Sequence, residues 1–160
     1  MVARDDARTI TVEERGEIPL DGLVFGYGPM LPFPAAALML WLAPPFWAEL
    51  ALGAVILWGA GILMFLGGVR RGLSFRTPGG PRLSQIAMML WLFMAGLAAL
   101  VLPAAWAVTL LLAGYASLML LDPPAARRAE APLYFARLRP PQMSIAVIGL
   151  AALLALVLIG

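Results

Sequence analysis

Five uncharged apolar runs divide this chain, at about 23–43, 50–69, 83–102, 104–121 and 143–160. Each is close to the roughly 20 residues that cross about 30 Å of hydrocarbon as a helix. Within lipid a backbone must satisfy its own polar groups, which leaves helices and closed barrels. The runs are continuous rather than alternating, so they read as helices, not barrel strands. The expected fold is therefore all-α: a polytopic integral membrane bundle of five transmembrane helices. A polar tail at 1–20 precedes a single domain at 21–160. Of the 160 residues, 62% are hydrophobic and 12% charged. That is about half the charge of an ordinary soluble domain.

The charges sort by side. Every basic residue is an arginine. Arg4, Arg8 and Arg15 lie in the tail; Arg70, Arg71, Arg76 and Arg82 in the 70–82 connection; Arg127, Arg128, Arg137 and Arg139 in the 122–142 connection. Five crossings put all three segments on one face of the bilayer. By the positive-inside rule that face is cytoplasmic, with the N-terminus inside and the C-terminus outside. Glu49 then sits on the outer side. The tail, "MVARDDARTITVEERGEIPL", lacks the apolar core of a signal peptide.

The first run is irregular. "FGYGPMLPFPAAAL" sets Gly26, Gly28, Pro29, Pro32 and Pro34 in its early part. Proline removes a donor and collides with the preceding turn, so a kinked or unwound start is expected, with a regular helix after Pro34. The 122–142 connection begins and ends with paired prolines. Its middle reads as a short interfacial helix dipping Leu133, Tyr134 and Phe135 into the headgroups.

Catalytic chemistry finds little to use. Histidine, cysteine and lysine are absent, which removes imidazole bases, thiolates, Schiff bases and the usual zinc and haem ligands. No cofactor fingerprint is present, and no basic face interleaved with aromatics suggests nucleic acid. The stretch "GGVRRGLSFRTPGGPR" lacks the lysine and the strand-to-helix setting of a phosphate loop. With no ionisable residue inside the five runs, a proton or ion path is not expected. Thr109, Tyr115, Ser117, Ser84, Gln85 and Ser144 are expected to bond their own backbone or a neighbouring helix.

Two features point to contact surfaces. The arginines Arg70, Arg71, Arg76, Arg82, Arg127, Arg128, Arg137 and Arg139 suit anionic lipid headgroups or acidic groups of a partner. Gly53, Gly59, Gly61, Gly67, Gly68 and Gly72 on the second run permit close helix approach. Trp58 and Trp91 fall near the midplane, away from the interfacial belts that Trp41, Trp47 and Trp106 fit, and each requires a partner for its N–H.

The phrases "FLGGVRRGLSF", "FGYGPMLPF" and "APLYFARLR" resemble the transmembrane protein 69-like family, small bacterial and mitochondrial multispanning proteins of unknown function. The resemblance implies a topology and a membrane location and brings no catalytic residues. Many members have a histidine–tryptophan pair where this chain has Arg70 and Arg71. The resulting expectation is a noncatalytic protein of the bacterial inner membrane, an accessory or assembly subunit of a respiratory or photosynthetic complex. The alternative is a small-molecule or lipid-binding or transport protein whose arginine loops form an anion site, with a cavity ringed by Arg70, Arg71 and Arg137.

Overall fold

The computed structural model describes residues 17–77 and 79–159. The tail arginines Arg4, Arg8 and Arg15 lie outside the described residues. All regular structure described is helical: α1 (Leu20–Tyr27), a 3-10 turn (Gly28–Met30), α2 (Pro32–Leu42), α3 (Pro45–Ser74), α4 (Leu83–Ala99), α5 (Ala104–Arg127) and α6 (Phe135–Ile159). Taken together, α1 and α2 form the first span. This span, α3, α5 and α6 are each long and apolar enough to cross a membrane, while α4 is a shorter apolar helix. At 17 residues, α4 covers about 26 Å, at the lower limit for a span. The chain is thus a multi-pass helical membrane bundle.

The break in the first span lies earlier than Pro34. It falls at Gly28–Met30, and α2 is regular from Pro32 onward. Pro32 and Pro34 occupy the first turn of α2, where a missing N–H costs little. Trp58 on α3 donates to the Pro29 carbonyl at 2.9 Å, so a neighbouring helix serves the interrupted backbone. Trp91 donates to Ser117 Oγ at 3.0 Å. Both tryptophans have much of their surface exposed, so neither is packed away in the core.

The spans close into a ring in which α2, α3, α4, α5 and α6 touch in order and α6 returns to α2. In addition, α3 meets α5 across the middle. The core between them holds Phe33, Leu63, Leu92, Leu111, Tyr115, Met143 and Leu150. Phe33 and Tyr115 meet edge to face at 5.0 Å, and the Tyr115 hydroxyl donates to Gly59 O at 3.0 Å. Hydroxyls elsewhere turn back on their own helices, Thr109 to Ala105 O and Ser117 to Gly114 O.

Glycines set the closest approaches. A Cβ at Gly59 would lie 3.0 Å from Leu111 and Phe33, and one at Gly67 would lie 3.1 Å from Met89 O. Gly53, Gly61, Gly68 and Gly72 have open space around the same position. The tightest crossings use glycines that sequence reasoning passed over. A Cβ at Gly96 would lie 2.8 Å from Ala60 O, one at Gly149 would lie 2.7 Å from both Phe33 C and Pro34 N, and one at Gly114 would lie 2.5 Å from the Leu63 side chain.

The two arginine-bearing connections are much shorter than expected, and this is the main correction to the sequence reading. α3 runs on to Ser74, so Arg70 and Arg71 are helical. α5 runs through Pro123 and Pro124 to Arg127, and α6 begins at Phe135 and contains Pro140 and Pro141. The short interfacial helix expected in the middle of the 122–142 connection does not form: Leu133 and Tyr134 make a turn and Phe135 starts α6. Proline pairs read locally as helix stops, but within a bundle neighbouring groups can re-satisfy the freed carbonyls.

The turn after α5 is a Schellman motif. Glu130 N donates to Ala125 O at 2.9 Å and Ala129 N to Ala126 O at 3.1 Å. Ala129 takes the left-handed conformation, φ 56°, a position that glycine fills without steric cost. Ala129→Gly should therefore raise stability by about 1 kcal/mol, measurable as a higher unfolding midpoint in detergent.

Candidate functional site

The arginine-rich end of the bundle carries two acids, each set between two arginines. Near the surface, Glu130 accepts from Arg82 Nη1 at 2.9 Å and from Arg128 Nε at 3.0 Å. Burial pushes its carboxyl up, but the hydrogen bonds and charges of Arg128 and Arg82 outweigh that and hold it below the usual carboxylate range. Gln85 completes this latch. Its Oε1 accepts the Arg82 backbone N–H at 3.0 Å, and its Nε2 donates to Thr77 Oγ1 at 2.8 Å and to Glu130 O at 3.3 Å. The latch ties the α3–α4 connection to the α5–α6 connection. Both arginine segments therefore lie at the same end of the bundle.

Deeper in, Asp122 on α5 bridges Arg70 on α3 and Arg139 on α6. Arg70 Nη2 donates to Asp122 Oδ1, and Arg139 Nε lies 3.1 Å from Asp122 Oδ2. The angle of the second contact falls short of a hydrogen bond, so the two meet as an ion pair. All three side chains are buried, at 5%, 1% and 7% exposure for Arg70, Asp122 and Arg139. Sequence reasoning placed these residues in loops and found no ionisable group inside a span. The structure sets all three inside helices that qualify as spans, because those helices overrun their proline pairs.

The cluster is not balanced. Among the described residues two guanidinium groups share one carboxylate, leaving one positive charge in a buried setting. Arg70 Nε finds no acceptor among the described residues. Burying a charge without a counter-charge costs several kcal/mol even after relaxation. Arg139 recovers part of this by stacking over the Phe135 ring, 4.3 Å from guanidinium carbon to centroid. Its Nη1 also donates to Gln142 Oε1 at 3.2 Å, and Gln142 Nε2 donates to Gly26 O at 2.8 Å. A polar chain thus runs from Asp122 through Arg139 and Gln142 to the backbone of α1.

Beside this chain lies a cavity of about 260 Å³ between α1, α3 and α6. Arg139, Gln142 and Tyr134 supply its polar side chains; Phe25, Met30, Ile62 and Leu66 are among its apolar walls. From Val69 to Ile62 the α3 wall spans about 10 Å. It leads from the arginine end toward the middle of the bundle. Arg70, Arg71 and Arg137 do not line it; the cavity opens on Arg139 instead. Phe25 and Phe65 line it yet are exposed, at 77% and 64%. Its mouth therefore opens sideways, on the apolar surface of the bundle.

The remaining candidate arginines face outward. Arg76, Arg127 and Arg137 are exposed, and Arg71 lies over the Phe75 ring at 4.2 Å. They ring the same end as the buried cluster.

Comparison with curated proteins and with solved structures finds no match to this chain. A family profile described as "Protein of unknown function (DUF3429)" matches residues 18–157, which takes in all the described helices but the last two residues of α6, and both acid–arginine clusters. The chain belongs to that family of unknown function.

Proposed function

We propose that this protein binds an anionic amphiphile of the bilayer, with the headgroup at Arg139 and the apolar part along α1, α3 and α6. The carrying observation is the surplus positive charge of the Arg70–Asp122–Arg139 cluster at the head of an apolar cavity open to the side. A bound anion would neutralise it, and the low-dielectric setting strengthens that attraction. The proposal extends to sidedness, with this end in the cytoplasm of a bacterial inner membrane by the positive-inside rule. It also includes kinship with transmembrane protein 69-like proteins, on the three phrases that carry that resemblance. The reading is noncatalytic: the cluster's one carboxylate, Asp122, is engaged by two arginines.

The test is ligand-dependent stability in a non-ionic detergent. A hundredfold excess of an anionic amphiphile over its Kd should add about 2.7 kcal/mol. A zwitterionic lipid should add nothing comparable, and Arg139→Gln should abolish the gain. Equal stabilisation by anionic and zwitterionic lipids would count against the proposal.

A second reading, packing against another membrane subunit of a respiratory or photosynthetic complex, draws on the outer face of α3. There Gly61, Gly68 and Gly72 are exposed with open space at each Cβ position, a surface another helix could approach closely. Particle mass in mild detergent tests it. Mass equal to that of one chain plus its micelle argues against it.

A further inference from the structure

Resting on the amphiphile reading, we infer that the ligand is a single-chain monoanion with a small, carboxylate-type headgroup, taken laterally from the bilayer between α1 and α3. Three observations narrow the class. The first is size. A cavity of about 260 Å³ falls just below the usual range for small-molecule sites, about 300–1,000 Å³. It accommodates part of one hydrocarbon chain and is too small for the two chains of a diacyl lipid.

The second is charge. Among the described residues, the cluster is short of one negative charge, and Arg139 is the only cationic side chain on the cavity wall. Gln142 has committed its Nε2 to Gly26 O and its Oε1 to Arg139, so it offers the headgroup little. One guanidinium edge matches the two oxygens of one carboxylate. A phosphate monoester would bring a second charge with no second cation on the wall, among the described residues, to meet it.

The third is access. Phe25 on α1 and Phe65 on α3 flank an opening on the apolar surface. A chain can slide in from the hydrocarbon region while its head stays level with the arginine end. On the side of α1 toward α6, the contact is pinned by the hydrogen bond from Gln142 to Gly26 O.

Native mass spectrometry of the full chain in mild non-ionic detergent tests the assignment with four probes: lauric acid, dodecanol, dodecyl phosphate and dioleoyl phosphatidylglycerol. Lauric acid should give a one-to-one adduct, with at least tenfold weaker retention of each of the other three. Arg139→Gln should remove the laurate adduct. Ile62→Trp, which fills the apolar end and leaves the charge cluster intact, should weaken it at least tenfold. Equal or tighter retention of dioleoyl phosphatidylglycerol would overturn the single-chain assignment while leaving the anionic-amphiphile reading standing. Preference for dodecyl phosphate would overturn the monoanion assignment in the same way. Retention of dodecanol as tightly as lauric acid, or of no anion at all, would overturn both.

Discussion

Asp122→Asn should destabilise the folded protein by about 3–5 kcal/mol, the usual cost of removing one partner from a buried ion pair. The substitution keeps the shape of the side chain and removes the charge that two buried arginines share. Arg70 and Arg139 would then face one another without a counter-ion. The loss should appear as a lower unfolding midpoint in detergent for the variant than for the parent. Joint replacement of Arg70, Asp122 and Arg139 by apolar residues of similar size should be close to neutral, because it removes the desolvation cost together with the attraction. If the triple variant keeps its stability but loses anion binding, the cluster serves the ligand more than the fold.

The other large effect is expected at Gly149. Here α6 crosses α2 so closely that any Cβ would stand 2.7 Å from the backbone of Phe33 and Pro34. Backbone cannot swing aside as a side chain can, so Gly149→Val should cost about 3 kcal/mol, the upper end for overpacking. Gly61→Val on the open face of α3 is the matched control. Open space surrounds that position, and the variant should stay within about 0.5 kcal/mol of the parent. Thermal unfolding of both variants in the same detergent separates a crossing glycine from a merely exposed one.

The spans were legible because a continuous charge-free run of about twenty residues has few other folds open to it in lipid. The clustering of Arg70, Arg71, Arg76 and Arg82 with the 127–139 arginines at one end followed from their order along the chain. The Arg82–Glu130 contact at 2.9 Å shows that these segments do meet.

The site was hidden by punctuation. Leu121-Asp122-Pro123-Pro124 and Leu138-Arg139-Pro140-Pro141 read in the sequence as the two ends of a loop. They can also be read as opposite charges, each before a proline pair and equally far from the turn at Glu130–Ala131. An antiparallel hairpin brings such positions together, so the Asp122–Arg139 pairing had a sequence signal. The third member, Arg70, did not, because its contact depends on how α3 packs on α5. The glycine-rich α3 drew attention to itself, yet isolated glycines within other apolar helices, Gly96, Gly114 and Gly149, make the closest approaches. What distinguishes them is the partner on the facing helix, which local sequence does not carry.

Charge imbalance at the cavity head can be tested through the sign of one coupling. Unfolding of the parent and of Asp122→Asn would be followed in non-ionic detergent with and without saturating laurate. Neutralising Asp122 raises the surplus from one positive charge to two, so laurate should stabilise the variant more than the parent and recover part of what the substitution costs. Equal or smaller stabilisation of the variant would contradict an anion site headed by Arg139.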